Sequence, residues 1–188
     1  MTELLHLDEQ LFHLINTTGK NAFFDWLLPL WRNKLTWIPL YLLLIGIIVF
    51  RMKKKGVVLL LLLGLTVAAA DNISNRIIKK NVKRERPCRN ENLRPAPNVL
   101  VHCGGGYSFT SNHAANHFAV AVFLLLTTGG IFGRRRLWFL PWAILVAYAQ
   151  VYVGVHYPSD IIGGAVLGMS IAVLAKTVYE KILARYTL

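Results

Sequence analysis

The apolar residues of this chain lie in long, nearly unbroken blocks, and this pattern limits the fold more than any other feature. Residues 57–70, for example, read VVLLLLLGLTVAAA without one charged side chain. A water-soluble domain spreads its apolar residues at helical or strand spacing, whereas a helix that crosses a bilayer needs ~20 of them in succession. With 55% hydrophobic and only 16% charged residues, the chain is predicted to be an all-α integral membrane protein.

Five apolar segments are candidates for membrane-spanning helices, and they cover residues 35–50, 57–78, 114–132, 137–155 and 161–178. The further apolar stretch 23–31 is too short to cross ~30 Å of hydrocarbon alone, so we expect it to be interfacial or half-inserted. The predicted fold is therefore a bundle of five transmembrane helices. It has six if residues 23–31 and the first helix together complete a further span.

The N-terminal residues MTELLHLDEQLFHLI lack the basic region of a cleavable signal peptide and carry Glu3, Asp8 and Glu9. They predict an amphipathic helix that lies along the membrane surface. We expect the whole chain to form a single membrane domain, since no repeat or low-complexity tract divides it. Its parts are an interfacial N-terminal region (1–33), a helical bundle (34–188) and, within the bundle, a polar loop (79–110).

The two ends of the predicted bundle differ in charge. With five crossings, the N-terminus, the polar loop and the join at 154–160 share one membrane face. The other face carries Arg51, Lys53, Lys54, Lys55, Arg134, Arg135, Arg136, Lys181 and Arg185. The positive-inside rule favours this second face as cytoplasmic, provided that the cations of the polar loop serve a ligand instead. Such juxtamembrane clusters also explain the net charge of +12, so we expect no nucleic-acid partner.

Both cysteines, Cys88 and Cys103, lie in the polar loop. An even pair in one exposed loop is typical of an oxidising compartment, which favours an extracytoplasmic, periplasmic position for this face. A bridge between them would close about 15 residues and contribute on the order of 3 kcal/mol in the chain-entropy model. The alternative is two unrelated buried thiols.

Asp71 lies inside the second predicted span, where an ionisable group costs roughly 2.5–3.5 kcal/mol on insertion scales. Asp71, Asn75 and Lys79 are spaced four residues apart and so share one helical stripe that climbs toward the polar loop. We expect Asp71 to be a polar clamp between helices and Lys79 to stand at the open end of the stripe.

Three short segments bring polar side chains to the same membrane face. The first, KKNVKRERPCR, holds Lys79 and Arg86. The second, SFTSNHAAN, places Ser111, Asn112 and His113 at the start of a helix, whose free N–H groups form an anion site. Taken alone, the first is also consistent with a solvated basic patch and the second with an ordinary capped helix.

The third segment, GVHYPSD, places His156 four residues before Asp160. A carboxylate at that distance can accept a hydrogen bond from one imidazole nitrogen and leave the other nitrogen free to attack. Two histidines, a carboxylate, fixed cations and a helix N-terminus therefore converge on one face. No Cys/His cluster has zinc spacing, so we expect no metal or other cofactor, and the set favours phosphoryl transfer by a histidine nucleophile.

These segments resemble the three motifs of the type 2 phosphatidic acid phosphatase family, which shares its active site with vanadium haloperoxidases. The family motifs are K-x6-R-P, P-S-G-H and S-R-x5-H-x3-D. Here they read Lys79-x6-Arg86-Pro87, then Thr110-Ser111-Asn112-His113, then Ala149-Gln150-x5-His156-x3-Asp160. Their order, spacing and placement at helix ends agree with the family over roughly residues 57–178.

The resemblance implies a role for each matched position. His156 is expected to attack phosphorus and form a phosphohistidine, while Asp160 orients it. His113 is expected to protonate the leaving lipid oxygen and then to activate water. The resemblance assigns the phosphate oxygens to Lys79, Arg86, the backbone at Ser111 and Asn112, and Gln150 at the position of the motif arginine.

Two motifs depart from the family pattern. The second has Thr110 and Asn112 in place of proline and glycine, but it keeps Ser111 and His113. The third has Ala149-Gln150 in place of Ser-Arg, so a bidentate phosphate-binding cation is missing. We expect another arginine of the polar loop to supply the charge, and the candidates are Arg84, Arg89 and Arg94.

The resemblance thus implies a membrane phosphatase whose partners are the bilayer and an anionic lipid phosphate. The candidate substrates are polyprenyl diphosphate, phosphatidylglycerol phosphate, phosphatidate and a lipid A type anchor. Two alternatives stay open. A lipid-phosphate binding or transport protein would keep the anion site without turnover, and a structural membrane protein would not depend on His156.

Overall fold

The computed structural model describes residues 2–186, and in that part of the chain every regular element is helical. Seven helices have ten or more residues. They are α1 (Thr2–His13), α2 (Ala22–Trp31), α3 (Ile38–Met52), α4 (Lys54–Val82), α5 (Asn112–Thr127), α6 (Phe139–Tyr152) and α7 (Pro158–Arg185). The predicted all-α class is confirmed. Residues 83–110 of the predicted polar loop connect α4 to α5, whereas residues 79–82 are the last turn of α4.

Three segments are each long and apolar enough to cross a membrane: Lys34–Met52, Lys54–Val82 and Pro158–Arg185. The segments Asn112–Thr127 and Gly129–Tyr152 meet this criterion together, with a bend of 73° between them. The start of α5 and the end of α6 line one cavity, so the chain leaves that cavity along α5 and returns to it along α6. Each predicted span overlaps one of the helices α3 to α7, while the count of five crossings stays a prediction.

The outer surface of the bundle is apolar. Phe50 is 82% exposed, and Leu61 and Leu174 are each about two thirds exposed on different helices. Contiguous apolar surface of this size is unstable in water but matches the hydrocarbon of a bilayer. The protein is therefore an integral membrane protein, as its sequence predicts.

The N-terminal helices α1 and α2 pack against the bundle end that carries the polar loop. Phe12 is fully buried and its ring lies 5.5 Å from that of Tyr157, at the start of α7. On the outer side of α1, Leu4, Leu7 and Leu11 are exposed at helical spacing. This apolar stripe supports the prediction that α1 lies in the membrane interface, with its other face held by the bundle.

The closest helix pair is α5 against α7. Gly164 and Gly168 lie one turn apart on α7, where a Cβ on Gly164 would come within 2.5 Å of the Ser111 carbonyl oxygen. A Cβ on Gly168 would overlap the carbonyl of Ala115. Small residues one turn apart let two helices approach to backbone contact, which is a common way of packing helices in membranes. This contact holds the start of α5 beside the start of α7.

We predict that Gly168→Ala destabilises the protein by about 1–3 kcal/mol, because the added methyl group forces two packed backbones apart. The matched control is Gly46→Ala on α3, where a Cβ meets no atom within 4 Å and alanine has the higher helix propensity. Thermal unfolding in detergent measures both variants. Equal melting temperatures for the two would contradict the proposed backbone contact.

Candidate active site

A cavity of ≈ 420 Å³ opens at the bundle end where the polar loop lies. Its walls come from four parts of the chain: the end of α2, the end of α4 with the polar loop, the start of α5, and the segment from α6 to α7. Its basic lining side chains are Arg32, Lys79, Lys80, Arg86, His102, His113 and His156. Among the described residues, no carboxylate lines it, so the cavity is a site for an anion of more than one charge.

His156 reaches the cavity because the chain turns sharply after α6. Gly154 adopts a φ of 84° at this turn, and a Cβ there would lie 2.8 Å from the Asn98 carbonyl oxygen. The backbone N–H groups of Val155 and His156 both donate to the Gln150 carbonyl at 3.2 Å. These bonds fix the loop, so the imidazole is positioned by its backbone before any ligand arrives.

The two ring nitrogens of His156 have different partners. Nδ1 lies 3.3 Å from Oδ2 of Asp160, and Nε2 lies 3.1 Å from Nη1 of Arg86. A carboxylate only accepts and a guanidinium only donates, so the proton is assigned to Nδ1 and the lone pair to Nε2. Nε2 therefore carries the lone pair, and it lies beside Arg86, which lines the cavity together with His156.

His156 is neutral near pH 7. Burial lowers the pKa of the imidazole to about 4, and the charges of Arg86 and Lys79 act in the same direction, while Asp160 opposes them. A neutral imidazole keeps its lone pair, which an attacking nitrogen requires. The site thus combines a buried carboxylate, which orients the ring, with burial that keeps the ring unprotonated.

The Asp160 carboxylate is fully buried and has partners from several elements. Oδ2 also accepts from the backbone N–H of Tyr157 at 2.8 Å and from the hydroxyl of Ser108, and Oδ1 accepts from Nη1 of Arg84 at 2.9 Å. The backbone carbonyl of Asp160 accepts from the N–H of Ser111 at 3.0 Å. Asp160 therefore joins the polar loop, α5 and α7 around His156.

Arg84 links Asp160 to the N-terminal helix α1. Its Nη2 donates to Oδ2 of Asp8 at 2.6 Å, and its guanidinium carbon lies 3.9 Å from the ring centre of Tyr157. Asp8 also accepts from the backbone N–H of Ser159 at 2.8 Å. One arginine is thus held between two carboxylates, and α1 is part of the support of the site.

His113 lines the cavity in the first turn of α5, and its ring stacks on that of His117 with 6.2 Å between centroids. Nδ1 of His117 lies 2.8 Å from the His113 carbonyl oxygen, so His117 is bound to the backbone of its own helix. The backbone N–H groups of Asn112 and His113 occupy the first helical positions, where no intrahelical acceptor exists. They are the free amides at this side of the cavity.

The side chains of Ser111 and Asn112 face other partners. The Ser111 hydroxyl caps α5 through the Ala114 N–H, and its own N–H is bound to Asp160. Ser111 is fully buried outside the cavity lining, so it is a helix cap and not a phosphate contact, contrary to the sequence prediction. The Asn112 amide nitrogen donates to Asp71 at 2.6 Å, which leaves the backbone of Asn112 for an anion.

Asp71 is the interhelical clamp that its position in the apolar span predicts. It accepts from Asn112 and Asn116 of α5 at 2.6 and 3.2 Å, and from Asn75 on its own helix at 3.0 Å. A π-helical turn at Ile73–Ile78 follows within α4 and turns Lys79 toward the cavity. There Nζ donates to the carbonyls of Tyr107 and Ser108 at 2.9 and 3.3 Å, so one of its three donors remains for a ligand.

A disulfide between Cys88 and Cys103 closes the polar loop, which confirms the predicted bridge over the alternative of two free thiols. The bridge holds the glycine run of residues 104–106 beside Arg86, whose Nε donates to the Gly106 carbonyl at 3.3 Å. Arg86 also donates to the Val155 carbonyl at 3.1 Å. The polar loop thus holds Arg86 beside His156.

The comparisons with known proteins agree with this arrangement. The family model of the PAP2 superfamily matches residues 56–183. The chain belongs to the PAP2 superfamily. A lipid A 4′-phosphatase of Bacteroides thetaiotaomicron is 31% identical over 88% of this chain and 73% of its own length. An undecaprenyl-diphosphatase of Sulfolobus acidocaldarius is 32% identical over 88% of this chain and 75% of its own length.

Solved PAP2 structures share the fold. A transmembrane PAP2 type phosphatidylglycerolphosphate phosphatase from Bacillus subtilis superposes with a TM-score of 0.74, covering 97% of this chain and 89% of that one at 22% identity. The LpxE structure from Aquifex aeolicus gives 0.63, covering 88% and 92% at 24% identity. The helical bundle described above is therefore that of a membrane PAP2 protein.

None of the three arginines expected to replace the missing PAP2 arginine lines the cavity. Arg84 is bound to Asp8 and Asp160, Arg89 donates to the carbonyls of residues 104 and 106, and Arg94 donates to those of residues 91 and 93. That prediction was wrong because all three side chains have partners within the fold. The cation beside Gln150 is instead Arg32, whose Nε donates to the Gln150 side-chain oxygen at 3.2 Å.

Three residues of this PAP2 site were missed by sequence reasoning: Asp8, Arg32 and Ser108. Asp8 and Arg32 lie in the N-terminal region, and their partners at the site are 76 and 118 positions further along the chain, so no local spacing marks them. Ser108 opens the SFTSNH segment, yet only burial against Asp160 distinguishes it from an ordinary loop serine.

A larger groove of ≈ 1170 Å³ lies among the helices α3, α4, α5 and α6. Apolar and aromatic side chains form most of its wall, among them Trp31, Trp37 and Trp142. Trp31 precedes Arg32 of the cavity, and His117 of the groove wall stacks on His113. The polar cavity and the apolar groove are therefore neighbours, which matches a ligand with a charged head and apolar tails.

We predict that Asp8→Asn lowers the free energy of unfolding by about 1.5–3 kcal/mol, because Arg84 loses a charged partner at 2.6 Å. Turnover should fall as well, since the freed Arg84 holds Asp160 less firmly. The control Glu3→Gln removes a carboxylate from the exposed side of the same helix. Chemical or thermal unfolding together with an activity assay tests the pair, and identical behaviour of both variants would exclude a supporting role for α1.

Proposed function

We propose that this PAP2 protein is a membrane lipid phosphatase that hydrolyses a phosphate monoester or diphosphate through a phosphohistidine at His156, without a metal ion. The observation that carries the proposal is the unprotonated Nε2 of His156, which faces a cavity walled by cations and held in place by Asp160. The curated relatives, which are named as phosphatases of membrane lipids, support the same chemistry.

Binding places the phosphate among Lys79, Arg86 and the free amides at the start of α5. Arg86 donates to Nε2 of His156 at 3.1 Å. When the anion arrives, its oxygens are better acceptors for this guanidinium than a neutral imidazole nitrogen, because the bond becomes charge-assisted at both ends. Arg86 then neutralises the phosphate and releases the lone pair of Nε2 for attack.

In the first half-reaction, Nε2 attacks phosphorus and the bond from phosphorus to the lipid oxygen breaks. His113 gives its proton to that oxygen, and the bound phosphate favours the protonated imidazole that this step needs. Asp160 accepts the hydrogen bond from Nδ1 while the ring gains positive charge. The lysine and arginine donors stabilise the charge on the equatorial phosphoryl oxygens.

In the second half-reaction, neutral His113 takes a proton from water and the water oxygen attacks the phosphohistidine. The bond from phosphorus to Nε2 breaks, inorganic phosphate leaves, and His156 returns to its neutral form. Each histidine thus ends as it began, as covalent catalysis requires.

The apolar groove is proposed to hold the lipid tails of the substrate. Its continuity with the cavity at Trp31 and Arg32 supports this placement, as does its position between helices whose outer faces are apolar. Among candidate headgroups, a lipid A phosphate is the first to test, because relatives named lipid A 4′-phosphatase match 88% and 95% of this chain. Phosphatidylglycerol phosphate, phosphatidate and undecaprenyl diphosphate complete the set.

We predict that purified protein releases phosphate from at least one of these four lipids, that orthovanadate inhibits the reaction, and that chelators do not. His156→Ala should lower the rate by about 10⁴–10⁶, as loss of a nucleophile does in other covalent enzymes. His6→Ala, on the exposed side of α1, is the matched control. Phosphate release from mixed micelles measures all three proteins.

The outcomes separate the candidate functions. Binding of these lipids with no phosphate release from any of them would favour a binding or transport protein. Equal phosphate release by the parent and by His156→Ala would overturn the phosphohistidine and favour a structural role for that histidine.

The cavity is proposed to face the extracytoplasmic side of the membrane. Outside the polar loop, the basic clusters at residues 51–55, 134–136 and 181–185 lie at the opposite end of the bundle. There Met52, Phe132 and Leu183 pack against one apolar cluster, and the Tyr179 hydroxyl donates to the Lys55 carbonyl at 3.3 Å. Those clusters favour a cytoplasmic position for that end. The disulfide of the polar loop supports an oxidising compartment at the cavity end.

We predict that Cys88 and Cys103 resist alkylation in intact cells until a reductant is added, and that a membrane-impermeant reagent then labels both. The bridge protects the thiols first, and the extracytoplasmic position exposes them afterwards. Mass spectrometry of the 79–110 segment gives the readout. Labelling of both cysteines without reductant, or only after the membrane is opened, would contradict the proposed orientation.

A further inference from the structure

Gln150 occupies the position of the PAP2 arginine and is completely buried at the cavity wall. Its side-chain nitrogen donates to the Val146 carbonyl at 3.3 Å, one turn earlier on α6. This bond turns the side-chain oxygen toward Arg32, whose Nε donates to it at 3.2 Å. The amide is thus held as an acceptor for a guanidinium that comes from another part of the chain.

Arg32 enters the cavity from the end of α2. Its backbone N–H donates to the Leu28 carbonyl at 3.1 Å, and that of Asn33 donates to the Leu30 carbonyl at 3.1 Å, so Arg32 forms the C-terminal cap of that helix. The carbonyl end of a helix carries partial negative charge and stabilises a cation there. The preceding residue is held too, because the Trp31 carbonyl accepts from the Trp37 indole at 2.7 Å. A fixed backbone therefore presents the guanidinium.

Only Nε of the Arg32 guanidinium has a hydrogen-bond partner among the described residues, and no carboxylate in that part of the chain pairs with it. Both terminal nitrogens remain available, and the bond through Nε fixes the plane in which they lie. Burial lowers the pKa of Arg32, and the charge of Arg86 lowers it further. A desolvated cation beside a second cation is stabilised when an anion binds between them.

We infer that Arg32 is a phosphate-binding residue that takes the place of the arginine missing from the third PAP2 motif, and that Gln150 is its positioning residue. The inference rests on the proposed function for the identity of the anion. It extends that function to the N-terminal region, because Arg32 lies outside residues 56–183 that the family model matches. Relative to the family motif, the guanidinium comes from Arg32 on α2 instead of from α6, and Gln150 on α6 accepts a hydrogen bond from it.

The first test removes the charge. In full-length purified protein, Arg32→Gln should lower kcat/KM by about 10²–10³, the effect of removing one donor to a developing oxyanion. The affinity for orthovanadate, read from the melting temperature as vanadate is titrated, should fall as well. Arg32→Lys should keep part of both, since it retains the charge but loses the Nε bond. Arg94→Gln is the matched control, because its side chain donates to loop carbonyls outside the cavity.

The second test moves the charge back. Gln150→Arg alone should not raise activity, because it places a second guanidinium against Arg32. Combined with Arg32→Gln, it should restore at least about ten-fold of the lost kcat/KM, since the pair then has the motif arginine on α6 and an amide on α2. Gln150→Leu should weaken vanadate binding in the parent but have no further effect in Arg32→Gln. Only a residue that acts through Arg32 gives that pattern.

Two results would overturn the inference. One is an Arg32→Gln variant whose kcat/KM and vanadate affinity stay within about three-fold of the parent while His156→Ala is inactive, which leaves the proposed phosphatase intact. The other is a strong gain of activity in Gln150→Arg alone. If the parent releases no phosphate, the proposed function fails, and the vanadate titration still decides whether Arg32 holds the anion. Should Arg32→Gln fold poorly, Arg32→Lys replaces it, and the inference then requires a partial loss of both kcat/KM and vanadate affinity in that variant.

Discussion

The Asp160 carboxylate is the group on which the rest of the site depends. It is buried at the end of a membrane bundle, where an unpaired charge is very costly. Its oxygens therefore collect donors from Arg84, Ser108, Tyr157 and His156, which belong to the polar loop and to the start of α7. The same carboxylate that requires these partners also fixes the tautomer of His156. The contacts that order the loop are therefore the contacts that orient the imidazole.

The cavity, by contrast, has an excess of positive charge. Cations wall it from three directions, and no carboxylate lines it within the described chain. Their repulsion is tolerated because backbone carbonyls hold Lys79 and Arg86, while a disulfide and a helix end fix the segments that carry the cations. An anion therefore meets a charge arrangement that needs little reorganisation, which is how electrostatic catalysis lowers a barrier.

The N-terminal region contributes more than an interfacial anchor. Asp8 holds Arg84, and Arg32 reaches Gln150, although both residues precede the segment that the family model matches. A PAP2 core thus depends on α1 and α2 for the support of its nucleophile and for one cation of its cavity. The substitution at Gln150 is understandable only when these helices are included.

The sequence by itself determined the helical class, the approximate helix positions, the clamp at Asp71 and the grouping of His113, His156, Lys79 and Arg86. These follow from apolar block length and from spacing within single segments, which are local properties of the chain. The tertiary structure alone decided that the Ser111 N–H binds the Asp160 carbonyl, that Arg84 supports Asp160, and that Arg32 stands beside Gln150. The physical reason is that a buried charge is matched by whichever partner packing brings within about 3 Å, and for Arg32 and Gln150 that partner lies 118 positions away.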